Sequence, residues 1–362
     1  MIRCDAAIVG GGPAGSTCAR SLRLAGWNVV VLDRARFPRD KVCAGWLTPG
    51  VFSALDLDPE TYRSAGLVLQ DIRGFRTGVM GRHLLDTDYG RVVSYAVRRC
   101  EFDDFLLRRA AVQVIDGTPL EKMARRGGVW ILNDSISTPV VIGAGGHFCP
   151  VARFLQGHAD SLQPVVAKEA ECRVDGELAV SGERPELFFC PDMDGYAWCV
   201  RKGNYLNVGI GRRSPVDFAR HVREFVALLE SSGVNIRVSD MKWRGHAYFA
   251  TGVGSRAIVA DGVLLAGDAA GLAYPESGEG IGPAIESGRL AAETLLQARG
   301  RYDSEWLTAY VRELRRKHPP VQPSSGPVRK LTAAAGRLLL GSHAFTRHVL
   351  LDRWFLRAGV SG

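Results

Sequence analysis

Glycines at positions 10, 12 and 15 stand between a short apolar run, Cys4 to Val9, and a stretch of helical spacing from Ser16 to Ala25. At that spacing each glycine has its own task. Gly10 permits a tight turn, Gly12 lets the backbone approach a pyrophosphate, and Gly15 lets helix and strand pack closely. The helix N-terminus then supplies amide donors and the positive end of its dipole. A second β-branched run, WNVVVLD, ends on Asp33, 18 residues past Gly15 and placed to accept hydrogen bonds from an adenosine ribose. Strand, turn, helix and strand in this order make a βαβ unit and imply a parallel sheet.

A Gly-rich turn of this kind does not separate a nicotinamide from a flavin dinucleotide. The stretch VLLAGDAAGLAYPESGEGIGPAIESG, residues 263–288, decides between them. It reads as a strand ending in Gly267-Asp268, a loop, and a helix beginning at Gly280-Ile281. A carboxylate at the C-terminal edge of a parallel strand lies where open α/β sheets bind ligands, and it can accept from ribityl hydroxyls. The helix start aims its N–H groups at the flavin edge that gains negative charge on reduction. This element resembles the Gly-Asp motif of glutathione-reductase-type and hydroxylase-type FAD proteins, and the cofactor it implies is FAD.

Three further stretches extend the resemblance. Val97-Arg98-Arg99-Cys100-Glu101-Phe102-Asp103 is similar to a helix start whose arginine, here Arg99, approaches the FAD phosphates, and Arg98 reads as a solvated charge. VVIGAGGHFCPVAR, residues 140–153, resembles the middle motif of flavin hydroxylases, with Gly145 where the pattern has Asp and Cys149 where it has Ser. The missing Asp argues against fast direct reduction by NAD(P)H. FPRDKVCAGWLTP (37–49), PESGEGI, and Tyr196-Ala197-Trp198 followed by KGNYLNVGIG resemble the geranylgeranyl reductase family, with Val200 and Arg201 departing from its Phe-Pro. The resemblance implies an FAD enzyme of the p-hydroxybenzoate hydroxylase type of fold that reduces C=C bonds of isoprenoid chains with reduced flavin. It also implies that Pro13, Ala14, Arg34, Cys43, Ala44 and Val114 help bind the cofactor. Trp46, Tyr196, Trp198 and Pro275 would line an apolar substrate pocket.

Cys43 is the cysteine singled out by its Gly-rich loop, which the resemblance brings close to the flavin ring. Its thiol either donates a proton after hydride transfer or only packs. Tyr196 and Trp198 likewise read as pocket walls or as sheet-core aromatics. The other cysteines, at 4, 18, 100, 149, 172, 190 and 199, form no CxxC and no Cys/His cluster of zinc spacing, so no metal site is expected. His83, His147 and His246 read as structural.

The elements that must position these residues follow from periodicity. Residues 67–97 look like short strands, RRCEFDDFLLRRAA a helix, and 160–250 an alternating antiparallel sheet broken by one helix near 216–231. The expected fold is α/β: a Rossmann-like FAD domain (1–66, 98–155 and 251–320) with an inserted, mostly antiparallel substrate domain (67–97 and 156–250). A basic helical segment, 321–362, follows. The chain carries 46 Lys and Arg against 38 Asp and Glu, and the whole excess of +8 falls from Arg312 onward. A neutral body argues against nucleic acid as a partner. From Val328 the apolar residues 331, 335, 338 and 339 oppose Arg329, Lys330 and Arg337, an amphipathic basic helix. From His343 to Leu356 apolar residues surround the axis, as in a docked helix. Peripheral binding to an anionic membrane face and packing over the substrate domain are the two readings of this segment. No run is long enough to span a membrane and the chain opens directly on its first strand, so a cytoplasmic location is expected, with contact at the inner membrane face under the first reading.

The function these observations point to is an FAD-dependent oxidoreductase reducing a long apolar substrate, fed by an external electron donor that the sequence does not identify. A flavin monooxygenase on the same fold is the first rival. A halogenase is disfavoured by the absence of Trp-x-Trp-x-Ile-Pro, and a non-catalytic prenyl-lipid carrier is disfavoured by the intact Gly10, Asp268 and Gly280.

Overall fold

This computed structural model describes residues 1–156, 164–175, 180–234, 237–254, 256–321 and 326–357, with backbone alone for 326–332. The chain divides into two compact units, Met1–Asp40 with Cys100–Leu162 and Tyr248–Gln322, and Lys41–Arg99 with Gln163–Ala247 and Pro323–Gly362.

The first unit is built on a six-stranded sheet in the order Val259–Ala260, Val263–Leu265, Val140–Gly143, Ala6–Val9, Val29–Leu32, Gln113–Ile115. Ala6 pairs in parallel with Val29 on one side and Val140 on the other. Every residue of the three central strands is buried, the continuous apolar run expected where helices cover both faces of a parallel sheet. Helices Pro13–Leu24 and Ile281–Ala298 pack together at Gly288, where a Cβ would lie 2.3 Å from the Ala14 carbonyl oxygen. Helix Ser304–Lys317 starts on an Asp303 cap and buries Tyr310, whose hydroxyl donates to the Leu265 carbonyl at 2.7 Å. The sequence reading missed a small four-stranded sheet in which Ile2–Arg3 pairs with Ile136–Thr138. Strands of two to four residues are too short to show a period.

The second unit holds a seven-stranded sheet in the order Arg244–Tyr248, Val165–Arg173, Tyr205–Arg212, Gly195–Lys202, Glu186–Phe189, Gly74–Val79, Leu85–Asp88. Its alternation sorts side chains onto two faces. Ala170, Val208, Ile210, Ala197, Cys199 and Phe188 face helix Phe218–Ser231, which buries Val222, Phe225 and Leu229 among them. The opposite face carries Glu169, Glu171, Asn207, Lys202, Trp198, Val200, Leu187 and Phe189, polar at one end and apolar at the other.

Two expected boundaries are corrected. Residues 41–66, expected in the FAD domain, belong to the second unit. Strand Trp46–Leu47 pairs there with Ser94–Val97, and Phe52 packs edge-on to Tyr62 and Tyr95. The C-terminal segment also belongs to this unit and does not stand apart. Residues Phe345–Phe355 form a helix of π type, and Leu350, Leu351, Phe355 and Leu356 are buried on the apolar half of the sheet face. The docked helix read from 343–356 is therefore present. Helix Gly326–Leu339 precedes it, although the Arg329, Lys330 and Leu331 side chains of its expected amphipathic pattern lie outside the described residues, as do residues 322–325 and 358–362.

Candidate functional site

In the first unit the Gly-rich turn has the geometry its spacing requires. Gly10 takes φ +113°, and a Cβ on it would stand 2.3 Å from the Ala144 carbonyl oxygen. A Cβ on Gly15 would stand 1.8 Å from the Gly10 carbonyl oxygen, so neither position admits a side chain. Gly12 caps helix Pro13–Leu24, and Pro13 occupies the first helical turn, where its missing N–H costs nothing. Ala14 is buried beneath the turn. Asp33 clamps the turn from the end of the second strand, its two carboxylate oxygens accepting from the Gly11 N–H at 2.7 Å and the Ala35 N–H at 2.8 Å. Arg34 is exposed beside it, and Val114 is partly exposed on the edge strand.

Sequence reasoning missed Arg39. Its Nη2 atom lies 3.3 Å from where a Gly12 Cβ would be and 3.2 Å from Asp103, a fully buried carboxylate. A guanidinium is thereby held at the glycine expected to let the backbone approach a pyrophosphate. Asp103 is the acid of the Phe102-Asp103 pair, and Arg99, the residue matched to the phosphate arginine, is buried at the start of helix Arg99–Ala110.

The strand of the second cofactor element ends earlier than expected. It stops at Leu265, and Gly267–Ala270 is a short 3₁₀ turn that leaves Asp268 half-buried. Gly267 has φ +62° and donates to Ser287 Oγ at 2.9 Å. A Cβ on Gly280 would come 3.1 Å from Asp268 Oδ1, so this glycine leaves room for the carboxylate at the N-terminus of helix Ile281–Ala298. That helix offers fewer amides than expected, because Glu279 Oε1 accepts from Gly282 N–H at 2.7 Å and Pro283 has none. The two departures in the middle motif are neighbours. A Cβ on Gly145 would meet Cys149 at 3.2 to 3.4 Å, and burial pushes the Cys149 thiol up. The glycine turns, the Asp33 clamp, Arg39 and Asp268 together suit a dinucleotide bearing a ribityl chain, so the residues present fit FAD. Pro275, expected in the substrate pocket, is half-buried in this unit's 271–280 loop.

The second unit holds the Cys43 loop over the polar end of its sheet face. Cys43 N–H donates to Glu169 Oε2 in a short bond, and Gly45 N–H donates to Cys43 Sγ at 3.3 Å. Gly45 has φ +68°, and a Cβ there would strike the Val97 carbonyl oxygen at 2.1 Å and Lys202 Nζ at 2.8 Å. Lys202, fully buried, donates to Glu171 Oε2 at 2.8 Å, and Arg98 Nε donates to Glu171 Oε1 at 3.1 Å. Arg98 also lies 3.7 Å above the Tyr205 ring, so its reading as a solvated charge is corrected. Asn207 Nδ2 donates to Glu171 Oε2 at 3.2 Å and to the Cys43 carbonyl at 3.4 Å, while Trp198 Nε1–H donates to Asn207 Oδ1 at 2.8 Å. Burial pushes Glu169 up to about 7, and Lys202 only partly opposes it. Burial acts on Glu171 in the same sense, but Lys202 and Arg98 outweigh it and hold that carboxyl below the usual range.

Glu169, Glu171, Lys202 and Asn207 were not singled out from the sequence, although Lys202 and Asn207 fall in the KGNYLNVGIG stretch. The available signal was two acids two residues apart on a β-patterned segment, which places both on one face.

The aromatic candidates are gathered as expected, but under a cover. Trp46 stacks on Phe355 with centroids 5.3 Å apart, Tyr196 meets the same ring edge-on at 5.4 Å, and Trp198 packs in the same cluster. Ala44 packs against it as well. A Gly209 Cβ would fall 2.3 Å from Trp198 Cζ2, so the indole lies flat over a glycine. His246 contacts Lys41 Nζ, and His147 packs on Phe148 and Phe249. All eight cysteines are free, and among the described residues no group of His, Cys, Asp and Glu could hold a metal ion.

Comparison with known proteins agrees with this geometry. Residues 5–99 match the family described as FAD dependent oxidoreductase. The menaquinone reductase of Mycolicibacterium smegmatis is 29% identical over 339 residues, 84% of this chain and 80% of that protein. The digeranylgeranylglycerophospholipid reductase of Methanothrix thermoacetophila is 29% identical over 345 residues, 87% of this chain and 83% of that protein. Among solved structures, a geranylgeranyl bacteriochlorophyll reductase-like protein from Thermoplasma acidophilum superimposes with TM-score 0.73 at 21% identity, covering 94% of this chain and 88% of the other. A flavin-dependent halogenase shares the fold at TM-score 0.65 and 22% identity, covering 93% and 70%. The Gly-rich cradle, the mixed α/β architecture and these similarities identify the chain as an FAD-dependent oxidoreductase that is geranylgeranyl reductase-like in sequence and fold.

Proposed function

We propose that this protein reduces C=C bonds in an isoprenoid chain or another long apolar substrate, using electrons from an external donor. The observation that carries the reading is the divided sheet face of the second unit. Its apolar half gathers Trp46, Phe75, Phe189, Tyr196 and Trp198, and its polar half holds the Cys43 loop. A hydrocarbon chain suits the first half and a protonation step suits the second. Reduced FAD, when bound, supplies the hydride. The chain's own contribution is to hold the cofactor on the Gly10–Gly15 turn and at Asp268, to gather apolar side chains suited to the substrate, which the Phe345–Phe355 helix covers in this structure, and to present the Cys43 thiol as the candidate proton donor. The name of one relative, a digeranylgeranylglycerophospholipid reductase, supports this reading.

The C-terminal segment would bring the enzyme to lipid. Leu338 and Leu339 are 81% and 41% exposed on helix Gly326–Leu339, beside Arg337. Among the described residues no helix is long and apolar enough to cross a membrane, so contact would be peripheral.

The test is anaerobic. Chemically reduced enzyme mixed with geranylgeranyl lipids should yield products heavier by whole H₂ units in a mass spectrum. In a parallel reaction, NADPH and air are supplied with aromatic substrates. Oxygenated product there, with no reduced lipid in the first reaction, would replace this reading with a monooxygenase.

A further inference from the structure

Glu169 is a buried acid that the proposed alkene reduction does not yet employ. Its side chain is on the inward face of strand Val165–Arg173, and its carboxylate oxygen accepts from the N–H of Cys43, 126 residues away. Lys202 and Arg98 are both engaged with Glu171, and among the described residues no ion pair reaches Glu169. Its carboxylate meets the Cys43 amide and the Asn207 side chain, and the charge of Lys202, engaged with Glu171, opposes burial only in part.

We propose that Glu169 is the proton reservoir behind Cys43, a positioning residue that sets the Cys43 loop through its N–H and restores the proton the thiol gives up. The inference rests on the proposed alkene reduction. In that reaction the hydride, with its electron pair, comes from the reduced flavin and forms the first C–H bond. The Cys43 S–H bond breaks as its proton forms the second C–H bond, leaving a thiolate. The Glu169 O–H then gives its proton to sulfur, and the carboxylate recovers one from water. Burial holds Glu169 near neutrality, so the acid form is present at working pH. The charged and titratable groups around it are Glu171 on its own strand, Lys202 on strand Gly195–Lys202, Arg98 after strand Ser94–Val97, Cys43 and Lys41 in the loop, and His246 on strand Arg244–Tyr248. Of these groups, Cys43 is the one whose backbone N–H donates to the Glu169 carboxylate.

The test uses FAD-loaded, full-length protein and follows iodoacetamide labelling of Cys43 by peptide mass spectrometry from roughly pH 5 to pH 9, since the thiolate is the reactive form. In the wild type, ionisation of Glu169 opposes the thiolate, giving an inflection near neutrality. Glu169→Gln should lose that inflection and label severalfold faster above it. Glu169→Asp should keep an inflection but move it to lower pH, because the shorter acid has the lower ordinary pKa. Superimposable profiles for wild type and Glu169→Gln, with FAD retained in both, would overturn the proposal. If Glu169→Gln does not fold, Glu169→Asp decides, because an inflection it leaves unmoved has the same consequence. Labelling needs no substrate, so a wild type that shows the inflection but reduces no alkene would refute the function and leave the Glu169–Cys43 coupling standing. In an active enzyme, Glu169→Gln should lower kcat and leave KM unchanged, and a reversed split would also overturn the proposal.

Discussion

Replacing Glu169 with Gln should remove a specific pH dependence of folding stability. In the folded protein burial raises this carboxyl from 4.5 to about 7, while in the unfolded chain it keeps its ordinary value. A proton is therefore bound more tightly in the folded state. The associated stability is fully present below the unfolded value, is lost as pH rises from there through the folded value, and is absent above it. Two and a half pKa units at about 1.4 kcal/mol each come to about 3 kcal/mol. Glu171 works in the opposite sense, its stabilisation being present at neutral pH and lost on acidification, but it is common to both proteins and cancels in the comparison. The assay is urea unfolding followed by tryptophan fluorescence at a series of pH values from 4.5 to about 8. Relative to wild type, Glu169→Gln should gain about 3 kcal/mol across this range, whatever constant offset the amide introduces. Curves that stay parallel would show that Glu169 ionises normally in the folded protein and would refute the reasoning.

Asp268→Ala removes the proposed ribityl acceptor and should weaken FAD binding by about 1.5 to 3 kcal/mol, and unchanged retention of the yellow cofactor on gel filtration would sink that assignment. Cys43→Ser should keep FAD and lose turnover, whereas equal turnover would return Cys43 to a packing role. Gly209→Ala places a methyl 2.3 Å from Trp198 Cζ2 and should cost about 1 to 3 kcal/mol, with a change in near-ultraviolet circular dichroism as the indole leaves Asn207. Deleting the C-terminal segment would strip Leu350, Leu351 and Phe355 from the core, so vesicle binding is better tested at the exposed Leu338. Leu338→Glu should reduce cosedimentation with anionic vesicles, and binding equal to wild type would exclude this helix as the contact.

The cofactor cradle was legible because its physics is local. Gly10, Gly12 and Gly15 are read from a spacing of a few residues, and the backbone confirms why no side chain fits at Gly10 or Gly15. Gly267, Asp268 and Gly280 are legible for the same reason, although the exact end of the strand before them was not. The pleat of the second sheet was likewise open to reading, since alternation needs no knowledge of partners.

Pairing across the fold is a different matter. Nothing near Arg39 in the chain says that it will meet Asp103, and nothing near Cys43 says that its amide will find Glu169. The same holds for residues 41–66 and for the C-terminal helix, whose apolar residues required burial without naming the surface that would bury them. The sequence by itself determined a dinucleotide turn, a Gly-Asp element and an amphipathic sheet, each of them a short-range pattern imposed by backbone sterics and hydrophobic periodicity. Only the tertiary structure decided that Lys202 and Arg98 engage Glu171 and leave Glu169 beside Cys43 without an ion pair, because charge balance in a buried site is set by which strands become neighbours.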